Sequence, residues 1–275
     1  MLGKLIKHEF KDTAKLMLLL YALFAVVTLI GTIVLNANTR AVQVSDFSEI
    51  LLVVLMIFYM LSIFALFIVT YVYIAMHFYK TMFSSQGYLT HTLPVKTSTV
   101  FHVKLGVSLV WLLCSMALLV LSIFLFVWAG TQGEILHVDY SAFTEVAAEF
   151  EAAMGMSMGA FFFGLLPVSM LLSCLVFILM VCTSSCIGQL FSKSKAAASV
   201  IAGVILYFVE QITSSIFTLA GNFHFLFIDT ENSTATMPPE FLSNTLIISL
   251  IWSLCFCIVY YIVCRVILQK HLNLE

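Results

Sequence analysis

The sequence predicts an all-α, polytopic integral membrane protein, and three observations support this fold class. First, 62% of the 275 residues are hydrophobic and 9% are charged, whereas a soluble domain is about 45–50% apolar and about 25% charged. Second, six segments reach the length of about 20 apolar residues that a helix needs to cross a bilayer. Third, the basic residues are confined almost entirely to alternate connections between these segments, as the positive-inside rule requires.

The six segments divide the whole chain into spans and short connections. Their apolar residues show no strand-like alternation, which excludes a transmembrane β-barrel. No connection is long enough for a soluble catalytic domain, and no internal repeat is visible, so residues 1–275 are predicted to form a single transmembrane domain. The predicted spans are about 16–35, 50–76, 105–129, 160–188, 197–220 and 244–264.

The positions of lysine and arginine predict that both termini are cytoplasmic. With the N-terminus inside, eleven of the twelve basic residues fall on the inner side, and Arg40 is the exception. We refer to this inner side as the basic side. Its basic residues are Lys4, Lys7, Lys11, Lys15, Lys80, Lys96, Lys104, Lys193, Lys195, Arg265 and Lys270.

Residues 1–15 have the pattern of an amphipathic helix. Lysines recur at spacings of three and four, beside an apolar face that includes Leu5, Ile6 and Phe10. Such a helix lies in the membrane interface with its lysines toward anionic lipid headgroups. The alternative is a positively charged anchor that continues into the first span. Both interpretations put the segment on the cytoplasmic surface.

The connection between the second and third spans, about residues 77–104, is the most informative inner segment. It mixes aromatic and aliphatic residues with polar ones, which a purely solvated linker does not need. Gly87 can end a short helix, and Pro94 disfavours helix at Leu93. Exposed Phe83, Tyr88 and Leu89 would suit docking into a partner's groove. The alternative is that these side chains pack against the spans of their own chain.

The Lys-His-Glu-Phe-Lys sequence at residues 7–11, the Gly-Tyr-Leu-Thr-His-Thr-Leu-Pro run at 87–94 and the six-span layout resemble the ABC-2 family of transporter permeases. The likeness is greatest to subunits of Firmicute type, which export peptide antibiotics and lantibiotics or confer immunity to them. It covers essentially the whole chain. It implies a bacterial plasma-membrane location and a dimer of identical or related subunits. It also implies that a coupling helix in the first inner loop binds a separate cytoplasmic ABC ATPase. The coupling residues would be Phe83, Gly87, Tyr88, Leu89, Thr90, His91, Thr92, Leu93 and Pro94.

The chain itself is predicted not to be an enzyme. A P-loop requires G-x-x-x-x-G-K-[ST], and the Gly3-Lys4 pair lacks the upstream part of that motif. ATP and Mg²⁺ are therefore expected in the partner ATPase, and no cofactor is expected in this chain. Its seven cysteines all fall in apolar runs, which predicts buried thiols and no metal site. The other expected partners are a second permease subunit and membrane lipids, with no nucleic acid.

Two further places attract functional hypotheses. Glu210 is the acid inside the fifth span, and Gln211 and Ser214 follow it. These residues could belong to a translocation path or to a subunit interface. The alternative is that Glu210 is a neutral acid hydrogen-bonded to a neighbouring helix. The small residues Ser199 and Gly203 of the same span permit close helix packing, with a second subunit as one candidate partner. The resemblance also implies an outer gate before the last span, and its candidate residues are Phe223, Phe225 and Phe227.

Two other functions remain open at this stage. A secondary transporter or channel would use Glu210 as its proton or ion site and would work without nucleotide. A membrane scaffold or sensor would have no substrate path. Neither alternative requires an ATPase partner, so a bound ATPase distinguishes the exporter from both.

Overall fold

The computed structural model of the chain describes residues 2–40, 46–83, 97–131, 140–191, 194–223 and 239–270. Within these residues it contains seven α-helices and one π-helical turn. The elements are α1 (Leu2–Arg40), α2 (Asp46–Phe83), α3 (Thr97–Gly130), α4 (Tyr140–Met154), the π-helical turn (Ala160–Leu165), α5 (Leu166–Gly188), α6 (Lys195–Gly221) and α7 (Pro239–Lys270).

Six helical segments of the described residues are long and apolar enough to cross a membrane, which confirms the polytopic class and the predicted number of spans. They are α1, α2, α3, the π-helical turn together with α5, α6, and α7. Several exceed the predicted spans. The 38 residues of α2, at a rise of about 1.5 Å per residue, extend on the order of 57 Å, almost twice the hydrocarbon thickness. We therefore expect the ends of the longer helices to project from the bilayer.

The exposed surface of the spans is apolar, as a lipid environment requires. Large aliphatic side chains such as Leu19 and Ile33 of α1 and Val200 of α6 are each more than 60% exposed. In water, each would forgo about 1.5–3 kcal/mol of burial free energy. Lipid removes this penalty because acyl chains are as apolar as these side chains.

The basic N-terminal segment and the first span form one helix. Residues 2–15 are helical, and Lys4, Lys7, Lys11 and Lys15 are exposed, in agreement with the predicted amphipathic pattern. However, α1 continues without a break to Arg40. The basic segment is thus an extension of the spanning helix, and Glu9 belongs to the same continuous helix as the first span.

The chain divides into two compact units. The first consists of α1, α2 as far as Thr81, and α3; the second contains the end of α2 and the elements from α4 to α7. In the first unit, Trp111 of α3 connects to α1 three times. Its Nε1 donates to Thr13 Oγ1 at 2.8 Å, its carbonyl accepts from Tyr21 Oη at 2.7 Å, and its ring stacks on Phe10 at 4.6 Å. These contacts fix the register of α1 against α3.

Polar side chains also tie α2 into the first unit. Tyr59 of α2 and Ser122 of α3 share a hydrogen bond of 2.9 Å, and the Tyr59 ring lies 4.1 Å from that of Phe126. Hydrogen bonds between membrane helices contribute about 0.6 kcal/mol each on average. Their main effect here is to fix which faces of the three helices meet.

In the second unit, α5 packs closely against α6. Gly188 of α5 lies against the backbone of Ser199, and Gly203 of α6 faces Ser184 of α5. The predicted close approach at Ser199 and Gly203 is therefore made to the neighbouring helix of the same chain. A third helix, α7, joins through Thr183 Oγ1, which donates to the Tyr260 carbonyl at 3.1 Å.

Candidate functional site

A buried ionic cluster occupies the basic end of the first unit. Lys104 Nζ of α3 donates to both carboxylate oxygens of Glu9, at 2.8 and 2.9 Å. His77 of α2 contacts the same carboxylate, with its Nε2 2.7 Å from Oε1. An ionised carboxylate only accepts hydrogen bonds, so the Nε2–H of His77 is the donor. We call Glu9, His77 and Lys104 the Glu9 cluster.

Burial makes these contacts strongly interdependent. The side chain of Lys104 is 5% exposed and that of Glu9 is 15% exposed. An unpaired charge at such a position carries a desolvation penalty of several kcal/mol. The penalty is offset here because two Lys104 N–H groups and the His77 N–H all point to one carboxylate. Asp12 lies at the exposed edge, with Oδ2 4.0 Å from His77 Nδ1.

Helix periodicity explains how α1 presents Glu9 to the other two helices. Thr13 lies four residues after Glu9 and is buried against Trp111, so Glu9 falls on the same inward face. Lys104 lies seven residues, or two turns, before Trp111 on α3. The cluster and the contacts of Trp111 therefore form consecutive layers of the α1–α3 interface.

The Glu9 cluster lies close to both helix ends that flank the predicted coupling segment. His77 is six residues before the end of α2 at Phe83, and Lys104 is seven residues after the start of α3 at Thr97. Phe83 itself is half-buried. The other predicted coupling residues lie outside the described residues: Gly87, Tyr88, Leu89, Thr90, His91, Thr92, Leu93 and Pro94.

Sequence analysis did not identify the Glu9 cluster as a site. In the sequence, Glu9 lies within the motif at residues 7–11, and Lys104 is one of eleven basic residues on the basic side. A usable signal was the presence of Glu9 and Asp12 on a side otherwise dominated by lysines. That signal does not name the partners, because His77 and Lys104 are 68 and 95 residues away along the chain.

Glu210 forms a second polar contact, within the second unit. It is half-buried on α6, and Tyr260 of α7 donates its hydroxyl proton to Oε2 at 3.2 Å. Of the other two residues predicted for this site, Gln211 is exposed and Ser214 is half-buried. The observed contact is the one expected for an acid hydrogen-bonded to a neighbouring helix.

The predicted outer gate is described only in part. Phe223 is 55% exposed just after α6, whereas Phe225 and Phe227 lie outside the described residues. The preceding residue, Asn222, is buried, and its Nδ2 donates to Thr245 Oγ1 of α7 at 3.0 Å. This bond attaches the C-terminal end of α6 to α7.

These features define a multi-pass α-helical membrane protein with one buried ionic cluster among its described residues. Comparisons with protein-family models, with curated proteins and with solved structures found no match to this chain. The resemblance to ABC-2 permeases therefore depends on the sequence motifs at residues 7–11 and 87–94 and on the six-span layout.

Proposed function

We propose that the chain is the membrane-spanning permease subunit of an ABC-2 type exporter, driven by a separate cytoplasmic ATPase. The observation that supports it best is the position of the family-like run. Residues 84–96, which contain this run, connect α2 to α3 on the basic side. The two helices that flank the run both contact Glu9 of α1. A displacement of the run would therefore act on Glu9 through the two helices that flank the run.

The proposed mechanism uses two permease subunits and two ATPases in the bacterial plasma membrane. ATP binding closes the ATPases and pulls on the 84–96 segments. The spans then shift between inward-facing and outward-facing states. ATP supplies the driving force only through its different affinity for the ATPase conformations that accompany these two states.

Introducing charge into the coupling segment tests the proposal. In the variant Tyr88→Asp/Leu89→Asp/Leu93→Asp, the amount of copurifying ATPase is expected to fall at least tenfold. Burying carboxylates in an apolar groove costs well over the roughly 1.4 kcal/mol that a tenfold change requires. The measurement is affinity purification of the tagged chain from solubilised membranes, with the ATPase identified by its P-loop peptides. The matched variant Tyr88→Phe/Leu89→Met/Leu93→Met keeps the apolar surface and should retain the ATPase. Undiminished binding to the Asp variant would show that this segment is not the docking site.

The hydrogen-bonded carboxyl of Glu210 favours one second candidate, a secondary transporter or channel. In that case the chain would carry protons or ions without nucleotide, and Glu210→Gln would abolish this flux. The measurement is the fluorescence of a trapped pH-sensitive dye in vesicles that contain the purified chain. Under the exporter proposal, the vesicles show no Glu210-dependent flux.

Under the exporter proposal, Glu210→Gln is also expected to change the unfolding free energy by less than about 1 kcal/mol. The glutamine amide oxygen still accepts the hydrogen bond from Tyr260, and hydrogen bonds between membrane helices average only about 0.6 kcal/mol. Equilibrium unfolding in mixed micelles measures the change. Tyr260→Phe, which removes the donor, is the comparison. A loss of several kcal/mol for Glu210→Gln would contradict this expectation.

A further inference from the structure

We infer that the Glu9 cluster is the mechanical joint through which displacement of the 84–96 segment reaches α1. The inference rests on the proposed function and assigns positioning roles to Glu9, His77 and Lys104. None of the three is expected to touch substrate or nucleotide. Their role is to make the helix ends that flank the coupling segment move with α1.

Both helices that flank the coupling segment are attached to a single group on α1. His77 and Lys104 lie six and seven residues from the helix ends that flank the coupling segment. At a rise of about 1.5 Å per residue, these separations are on the order of 9–11 Å. Both side chains contact one carboxylate, that of Glu9, within 2.9 Å. A force on either end of the 84–96 segment is therefore transmitted to the same group on α1, the carboxylate of Glu9.

The contacts between α1 and α3 resist separation and sliding of the two helices. Separating Lys104 from Glu9 would leave buried charges without partners, which is strongly unfavourable. Phe10 and Thr13, one and four residues after Glu9, hold Trp111 through ring stacking and a hydrogen bond, so α1 and α3 do not readily slide past each other. Since α1 is continuous from Leu2 to Arg40, a displacement at Glu9 is passed along the first span.

A paired substitution separates transmission from folding. Glu9→Gln combined with Lys104→Met removes both charges together, so no buried charge is left unpaired. An environment-sensitive fluorescent amino acid in place of exposed Lys7 reports on α1. In the purified permease–ATPase complex, adding ATP is expected to change this fluorescence. In the double variant, the change should fall at least fivefold while the amount of bound ATPase stays the same.

Two controls distinguish a joint from a local packing effect. Lys11→Met removes an exposed lysine of the same helix and should leave the ATP response unchanged. Lys104→Arg keeps the charge and supplies two N–H donors for a carboxylate, so it should retain most of the response. A cluster that only stabilises the fold would not make the ATP response follow the ionic contact in this way.

The outcomes also separate the inference from the proposed function. An undiminished ATP response in the double variant, with ATPase bound, overturns the inference alone. Absence of the ATPase from the unmodified complex overturns the proposed function and the inference with it. If the double variant does not accumulate in membranes, His77→Leu detaches α2 from the cluster and preserves the Glu9–Lys104 pair. An undiminished response in His77→Leu also overturns the inference.

Discussion

Glu9→Gln as a single substitution is expected to destabilise the first unit by about 3–5 kcal/mol, the usual cost of removing one partner of a buried ion pair. The reason is the burial of Lys104, whose side chain is 5% exposed and would keep its charge without a carboxylate. The neutral glutamine oxygen accepts one hydrogen bond but does not balance that charge. The measurement is the free energy of unfolding in mixed micelles, followed by tryptophan fluorescence.

The same measurement on two other variants tests the explanation. Asp12→Asn alters an acid of the same helix that is 61% exposed, and exposed ion pairs contribute only about 0–1 kcal/mol. Adding Lys104→Met to Glu9→Gln should recover most of the lost stability, because the second change removes the unpaired charge. If the double variant were less stable than Glu9→Gln alone, the unpaired charge would not be the cause.

The membrane fold could be predicted from the sequence because its main determinant is local. Each span can be recognised from its own run of about 20 apolar residues, without information from any other part of the chain. The same holds for α4, because Phe143, Val146 and Phe150 recur at helical spacing within the observed helix Tyr140–Met154. Gly155 follows with a φ of 67°, a conformation that glycine adopts without strain and that ends the helix.

The Glu9 cluster could not be predicted because it depends on which helix faces meet. Amphipathic spacing placed the lysines of residues 1–15 correctly on the exposed side, but it does not say what the opposite side contacts. The partners of Glu9 come from α2 and α3. Pairing within a membrane depends on close packing and scattered polar contacts, and single-sequence patterns carry little information about either.

The continuity of α1 could not be predicted from the sequence, for a different reason. An interface helix and an extended spanning helix have the same amphipathic sequence pattern, so composition does not separate them. No proline lies between Leu2 and Arg40, and Gly31 is well inside the span, so nothing in the backbone requires a break near Lys15. Under the proposed function, continuity is important because it connects the ionic cluster directly to a span.

The contact between α5 and α6 provides the second large expected effect, and it lies within the second unit. A Cβ atom at Gly188 would overlap Ser199 Oγ and lie 2.7 Å from Ser199 Cα and N. A side chain can rotate away from such a contact, whereas backbone atoms move only if the helices separate. Gly188→Ala is therefore expected to cost about 3 kcal/mol, at the upper end of the range for overpacking. This outweighs the roughly 1 kcal/mol by which alanine exceeds glycine in helix propensity.

Gly203→Ala is the matched control for Gly188→Ala, since it adds the same methyl group to the same pair of helices. Its Cβ would lie 3.4 Å from Ser184 Oγ and 3.5 Å from Ser184 Cβ, both side-chain atoms that can shift slightly. We expect its unfolding free energy to remain within about 1 kcal/mol of the unmodified protein. Equal stability of the two variants would mean that α5 and α6 do not approach each other at Ser199 as closely as the structure has them. A loss confined to Gly188→Ala would support the close backbone approach of α5 and α6 at Ser199.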